Sequence, residues 1–396
     1  MPTESTFLLA GLLFIAAALG YVFARFSDEE KETQAPGQLN ADYLKGLNFL
    51  LNEKPDQALE VFMRMVKVDD ETLETHFALG GLFRRRGEVE RAIRVHQNLI
   101  ARPNLSRLHR DQAFFALGED YLSAGLFDRA EKLFMQMRES PAHRADALNR
   151  LIRIYELTHD WQQAIEVYKE LERVDSDSAG VDQVAHYYCE LAERARAEKD
   201  YSKARSMLKK AEFGRRKTVR GTLEQADLAS DSHDYKKAIR LYQQVVEKEH
   251  SLISEVVPKL AASCRANKAD KQMSRFLESL IKNQPETLQA IAMAVVWDPD
   301  IDNPVALQCL HDYILADSTL KGLVDVEHLE QGDEESKRAA LARVRNGLHN
   351  IAARAKRYRC KQCGFSSREQ LWQCPSCRSW ETVAPIEYLS LLSMFG

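Results

Sequence analysis

With 55 Lys and Arg against 59 Asp and Glu in 396 residues, the chain has a formal charge of -4, so no whole-molecule field draws it to nucleic acid. Its length accommodates two or three compact domains or one elongated repeat array with small additions at its ends. Gly (17) and Pro (11) are scarce and good helix formers dominate, which predicts an all-α chain with almost no strand signal before Arg359.

Residues 7–24 (FLLAGLLFIAAALGYVFA) are all apolar, small or Tyr. As a helix they span about 27 Å, the thickness of a bilayer's hydrocarbon, which predicts a transmembrane anchor at 1–26. A cleaved signal peptide is the rival reading, but Met, Pro, Thr, Glu, Ser and Thr precede the run and supply no basic n-region. A buried core helix is the third; its place at the extreme N-terminus before a polar stretch speaks against it. Arg25 and Lys31 follow the run, so the positive-inside rule places the bulk of the chain in the cytoplasm. The next segment, SDEEKETQAPGQLN, shows no apolar period and contains Pro36-Gly37, which predicts a linker at 27–39. Fully extended, such a segment reaches at most about 50 Å and would hold the remainder near the membrane.

From about Asn40 a helix-pair unit recurs. Its mark is a small residue in the second helix followed four residues later by a bulky one: Ala58 with Phe62, Ala92 with His96, Ala130 with Phe134, Ala164 with Tyr168, Ala204 with Leu208, and Ala238 with Tyr242. The alanines are 34, 38, 34, 40 and 34 residues apart. Twelve residues before each stands a small or apolar residue, Gly46, Gly80, Gly118, Ile152, Ala192 or Ala226; Gly or Ala there lets two helices approach. Met273 with Leu277 and Ala306 with Leu310 mark two degenerate units. This pattern resembles the tetratricopeptide repeat and predicts a superhelical solenoid over 40–355. Gly87 and Gly125 suit tight turns within units, and Asp128, Asp160 and Asp200 are expected to cap second helices. In this register Phe77, Arg84, Phe115 and Glu119 are candidates to line a partner-binding groove, with inter-repeat packing or simple solvation as the alternative for each.

The segment YRCKQCGFSSREQLWQCPSCRSWETV places Cys360, Cys363, Cys374 and Cys377 in two C-x-x-C knuckles ten residues apart. Four thiolates at this spacing converge on one metal ion, Fe or Zn, and leave no coordination position open. Tyr358, Gly364, Phe365, Pro375 and Trp380 around them resemble a rubredoxin-type ribbon, predicted at 356–385 and followed by a tail at 386–396. The short gap between the knuckles favours a structural or docking role over electron transfer. Cys189, Cys264 and Cys309 are scattered through helical patterns; with the knuckles they point to a reducing compartment. The basic run Arg354, Lys356, Arg357, Arg359 and Lys361 is read as the face of a last helix starting near Glu334, with an acidic partner, phospholipid or nucleic acid as alternatives. Asp298, Asp300, Asp302 and Asn303 begin like a calcium loop, but Asn303 and Cys309 replace the required Gly and Glu, so a turn between helices is expected. No phosphate-cradling loop, zinc-protease helix motif or nucleophile elbow occurs, and His96 is read as packed; the chain is expected not to be an enzyme.

Together, the anchor, the repeats and the terminal YRCKQCGF...WQCPSCRSW ribbon resemble the lipopolysaccharide assembly protein B family, as do GLFRRRGEVERAIRVHQ, YLSAGLFDRAE and HYYCELA. The resemblance spans essentially the whole chain. It implies a single-pass inner-membrane adaptor that restrains lipopolysaccharide synthesis. The adaptor would act with the membrane AAA+ protease on the deacetylase that commits precursor to lipid A, and a membrane antagonist would act through the anchor. It also implies a ribbon packed on the last repeats, contact with other lipopolysaccharide assembly proteins, and leaves room for a homodimer. A ribbon-based membrane electron carrier and an RNA-associated factor are the alternative functions.

Overall fold

The computed structural model describes residues 44–46, 48–49, 54–64, 70–103, 105–175, 181–212, 218–317, 329, 333–353 and 356–386. The expected anchor at 1–26, the linker at 27–39 and the tail beyond Ile386 lie outside them. Among the described residues no helix is long and apolar enough to cross a membrane. The chain divides into two compact units, Met1–Ile154 and Tyr155–Gly396.

The first unit holds α1 (Pro55–Arg64), α2 (Asp70–Arg85), α3 (Val89–Ile100), α4 (Arg107–Ser123), α5 (Phe127–Met137) and most of α6 (Arg144–Leu157). The expected alternation of small and bulky residues governs how these helices pack. A Cβ on Gly80 would lie 2.4 Å from the ring of His96, and one on Gly118 would lie 2.9 Å from the ring of Phe134. Ala92, Ala130 and Phe134 are fully buried. The turns inside α2–α3 and α4–α5 use Gly87 at φ 81° and Gly125 at φ 72°, the left-handed conformation that glycine adopts without a Cβ clash.

The second unit begins with the last turn of α6 and continues through α7 (Trp161–Val174), α8 (Val181–Ala197), α9 (Tyr201–Ala211), α10 (Val219–Asp231), α11 (Tyr235–Lys248), α12 (Ile253–Ala266), α13 (Asp270–Asn283), α14 (Thr287–Trp297), α15 (Pro304–Ala316) and α16 (Glu334–Ala352). The small–bulky pairs hold here too: Ala164, Ala204, Ala238, Met273 and Ala306 are buried, as are Tyr168, Leu208, Tyr242, Leu277 and Leu310. The two degenerate units are therefore genuine helix pairs. Asp160 and Asp200 cap α7 and α9 as expected, accepting from the backbone amides of Gln163 (3.3 Å) and Lys203 (3.0 Å). Asp128 does not cap α5: Leu126 holds the cap position and Asp128 sits in the first turn, where its charge still favours the helix N-terminus. Asp234 caps α11 in the same manner as Asp160. At the turns where the earlier repeats place glycine, His159, Lys199, His233 and Lys268 take φ of 54–60°.

Asp298 and Asn303 bracket a turn, as expected, with Asn303 capping α15. Helix α14 is buried from Ile291 to Val296 because α12, α15 and α16 surround it. His349 of α16 bonds through Nδ1 to the carbonyl of Val296 at 2.9 Å. The chain ends in a three-stranded antiparallel sheet of order β2-β1-β3, with β1 at Tyr358–Cys360, β2 at Ser366–Ser367 and β3 at Val383–Pro385. Tyr358 faces Ser367 on one side and Pro385 on the other.

Candidate metal centre and the pocket beneath it

The two knuckles bring the sulfurs of Cys360, Cys363, Cys374 and Cys377 within 4.8 Å of one another. Sγ of Cys360 is 3.7 Å from that of Cys377, and Sγ of Cys363 is 3.6 Å from that of Cys374. Metal–sulfur bonds of about 2.3 Å give a tetrahedron with edges of about 3.8 Å, so the four sulfurs fit a single Zn or Fe ion. Thr382 Oγ1 lies 3.3 Å from Cys360 Sγ, and Ser379 Oγ 3.5 Å from Cys377 Sγ. The Thr382 hydroxyl, helped by backbone amides of the first knuckle, pulls the Cys360 thiol down to about 6. Burial pushes Cys374 up to about 11. Gly364 at φ 77° and Arg378 at φ 62° close the two turns, and Gly364 N donates to Cys360 O at 3.0 Å. Tyr358, Cys374 and Val383 form the ribbon's small core, with Phe365 and Leu371 beside them.

Cys189, Cys264 and Cys309 are buried between helices, and burial pushes all three thiols up, Cys264 and Cys309 to about 12. They are packing residues. The groove candidates of the first unit all contact neighbouring helices. Phe77 stacks on His96 with centroids 6.0 Å apart, and Phe115 stacks on His143 at 5.3 Å. Arg84 Nη1 donates to Asp120 Oδ1 at 2.6 Å, while the other oxygen of Asp120 meets His96 Nδ1 at 2.5 Å. Glu119 pairs with Arg150. Arg84 and Glu119 remain partly exposed.

In the second unit the ribbon lies against the solenoid. Arg357 of the basic run sits over Trp297 at 4.9 Å, and the Tyr358 hydroxyl meets Glu255. These are the last-repeat contacts the resemblance implied. A second set of contacts lies elsewhere: the half-buried Trp380 enters a pocket formed by the end of α6, α7, α8 and α10. The ribbon's contacts thus extend beyond the last repeats to these earlier helices. His186 stacks face to face on Trp380 at 4.7 Å and 6°, Trp161 and Tyr187 meet it edge-on at 6.1 and 6.0 Å, and Nε1 of Trp380 donates to Glu156 Oε1 at 3.1 Å. Tyr187 Oη donates to the same oxygen at 2.7 Å.

Under the two ribbon tryptophans lies Arg220, with a side chain 0% exposed. Its guanidinium is 5.4 Å from the ring of Trp372 and 5.9 Å from that of Trp380. Its Nε donates to Glu224 at 2.6 Å, and Nη2 donates to Glu190 at 2.9 Å and Glu193 at 3.4 Å. Burial pushes Glu224 up to about 7, opposed in part by the arginine. Burial, with Arg220 adding to it, pushes His186 down to about 3. The sequence does not single out Glu156, Trp161, His186, Tyr187 or Arg220; the one local hint is Arg220 four residues before Glu224.

These features define a tetratricopeptide-repeat protein with a C-terminal rubredoxin-type metal ribbon. Residues 358–385 match the family described as "Rubredoxin metal binding domain", and residues 75–108 and 115–179 match "Tetratricopeptide repeat". The "Lipopolysaccharide assembly protein B" of Escherichia coli (strain K12) is 33% identical over 96% of this chain and 98% of that protein. The protein of the same name from Haemophilus influenzae (strain ATCC 51907 / DSM 11121 / KW20 / Rd) is 29% identical over 96% and 98% respectively. The chain belongs to the lipopolysaccharide assembly protein B family.

Proposed function

We propose that this chain is a regulator of lipopolysaccharide assembly that works as a non-enzymatic adaptor at the inner membrane. The supporting observation is likeness along 96% of the chain to a protein named for lipopolysaccharide assembly. In this reading residues 1–26 anchor the chain and its bulk is cytoplasmic. The solenoid receives the deacetylase that commits precursor to lipid A and brings it to the membrane AAA+ protease, while a membrane antagonist acts through the anchor. The parts suit such a task. Stacked helix pairs offer side chains such as Arg84 and Glu119 to a partner, and a four-cysteine site with every position filled by thiolate is suited to holding a shape rather than to binding substrate. Depleting the protein and following the deacetylase by pulse-chase tests the reading: its half-life should lengthen several-fold, and an unchanged half-life refutes the adaptor role.

A further inference from the structure

Trp380 is three residues beyond the metal ligand Cys377, and the geometry of the second knuckle dictates where its indole points. Cys374 N donates to Ser379 O at 3.0 Å, Gln373 bridges to Trp380, and Glu381 N donates to Trp372 O at 2.8 Å. The turn that presents Cys374 and Cys377 to a metal ion therefore also sets Trp372 and Trp380 side by side over Arg220.

The receiving pocket is selective for an indole. It offers a flat parallel face in His186, edges in Trp161 and Tyr187, a cation in Arg220 and a single acceptor in Glu156 Oε1, held in place by Tyr187 Oη. Phe would fill the aromatic space without a donor for Glu156, and Tyr carries its donor at the far end of the ring. Withdrawing the indole would uncover Arg220 and His186, which are almost wholly buried and whose Nη1 and Nδ1 make no hydrogen bond. Water would satisfy those two atoms, but withdrawal breaks the hydrogen bond from Trp380 to Glu156 and returns the indole's apolar faces to water, so the seated state is the favoured one whenever the knuckle holds its shape.

We propose that this pocket is an indole-binding site thermodynamically coupled to the four-cysteine metal site. Metal at the cysteines positions Trp380 for the pocket, and the seated Trp380 slows metal loss. By reciprocity of linked equilibria, metal strengthens the seating of Trp380 by the same factor by which the seated Trp380 strengthens metal affinity, a symmetry that the release rate need not share.

The test uses the full chain loaded with Zn and measures the rate of metal transfer to a colorimetric chelator. Trp380→Ala should release Zn faster by about tenfold to a hundredfold, the range seen when residues supporting metal ligands are removed. Trp380→Phe should be intermediate. Glu156→Ala should also accelerate release, whereas Glu156→Gln, whose amide oxygen accepts from both donors, should stay near the parent rate. Far-ultraviolet circular dichroism confirms that each variant keeps its helices, and the Glu156 pair carries the test if a Trp380 variant does not fold. Equal rates for Glu156→Ala and the parent overturn the coupling. A Trp380→Phe rate equal to the parent's overturns the indole selectivity.

Discussion

Arg220 is the residue on which most of the second unit's buried charge converges. Three carboxylates meet one guanidinium; removing it strands the buried Glu224, while the partly exposed Glu190 and the exposed Glu193 lose little. Arg220→Met should destabilise the second unit by about 3–5 kcal/mol, read from the denaturant midpoint. His186 supplies a prediction in pH. It stays neutral in the fold down to about pH 3, while an unfolded histidine takes up a proton near pH 6.5. Folding stability is thus present above pH 6.5 and is lost as pH falls below it. Glu224, pushed up to about 7, has the opposite slope between its unfolded value and neutrality, so only a comparison of variants isolates the histidine. His186→Phe keeps an aromatic face for Trp380, and its melting temperature should fall less than the parent's between pH 6.5 and 4.5. An identical acid dependence would refute the role given to His186.

Within single elements the sequence is legible where the physics is local. The four metal ligands could be read because two C-x-x-C turns bring their sulfurs together with little help from the rest of the chain. The alanines of the second helices could be read because each stands at the same sequence spacing from a small or apolar residue of the first helix and a bulky one of its own. His159, Lys199, His233 and Lys268 could not be recognised as left-handed turn residues, because the neighbouring helices impose a conformation that these side chains do not announce. Arg220 escaped for a related reason: Glu190 and Glu193 lie 30 and 27 residues away and meet it only when α8 and α10 stack. Glycine shows how context sets the sign of a substitution. Replacing glycine by alanine inside a helix ordinarily gains about 0.5–1 kcal/mol. Gly347→Ala should show that gain, since a Cβ there meets nothing within 4 Å. Gly118→Ala should instead cost about 1–3 kcal/mol, because its Cβ would lie 2.9 Å from the Phe134 ring. Thermal melts of the two variants should move in opposite directions.

Across the whole molecule, the solenoid and the ribbon are held by different physics. Helix pairs rest on buried apolar surface, whereas a ribbon whose own core is Tyr358, Cys360, Cys374 and Val383 depends on metal for its shape. Chelating the metal, or replacing Cys360 and Cys363 by Ser, should unfold the ribbon and leave the far-ultraviolet helical signal largely intact. A collapse of that signal would contradict this division.

The hydrogen bond from Trp380 to Glu156 joins residues 224 apart in the sequence. A linear array of repeats normally frays from its ends, each unit answering only to its neighbours. Here the end of the second unit is fastened to its beginning, which converts that stretch from an open ladder into a closed circuit. Opening α7 or α8 then requires prior release of the C-terminal clasp. Releasing the ribbon should therefore speed hydrogen exchange of amides in α7 and α8 while those helices remain formed.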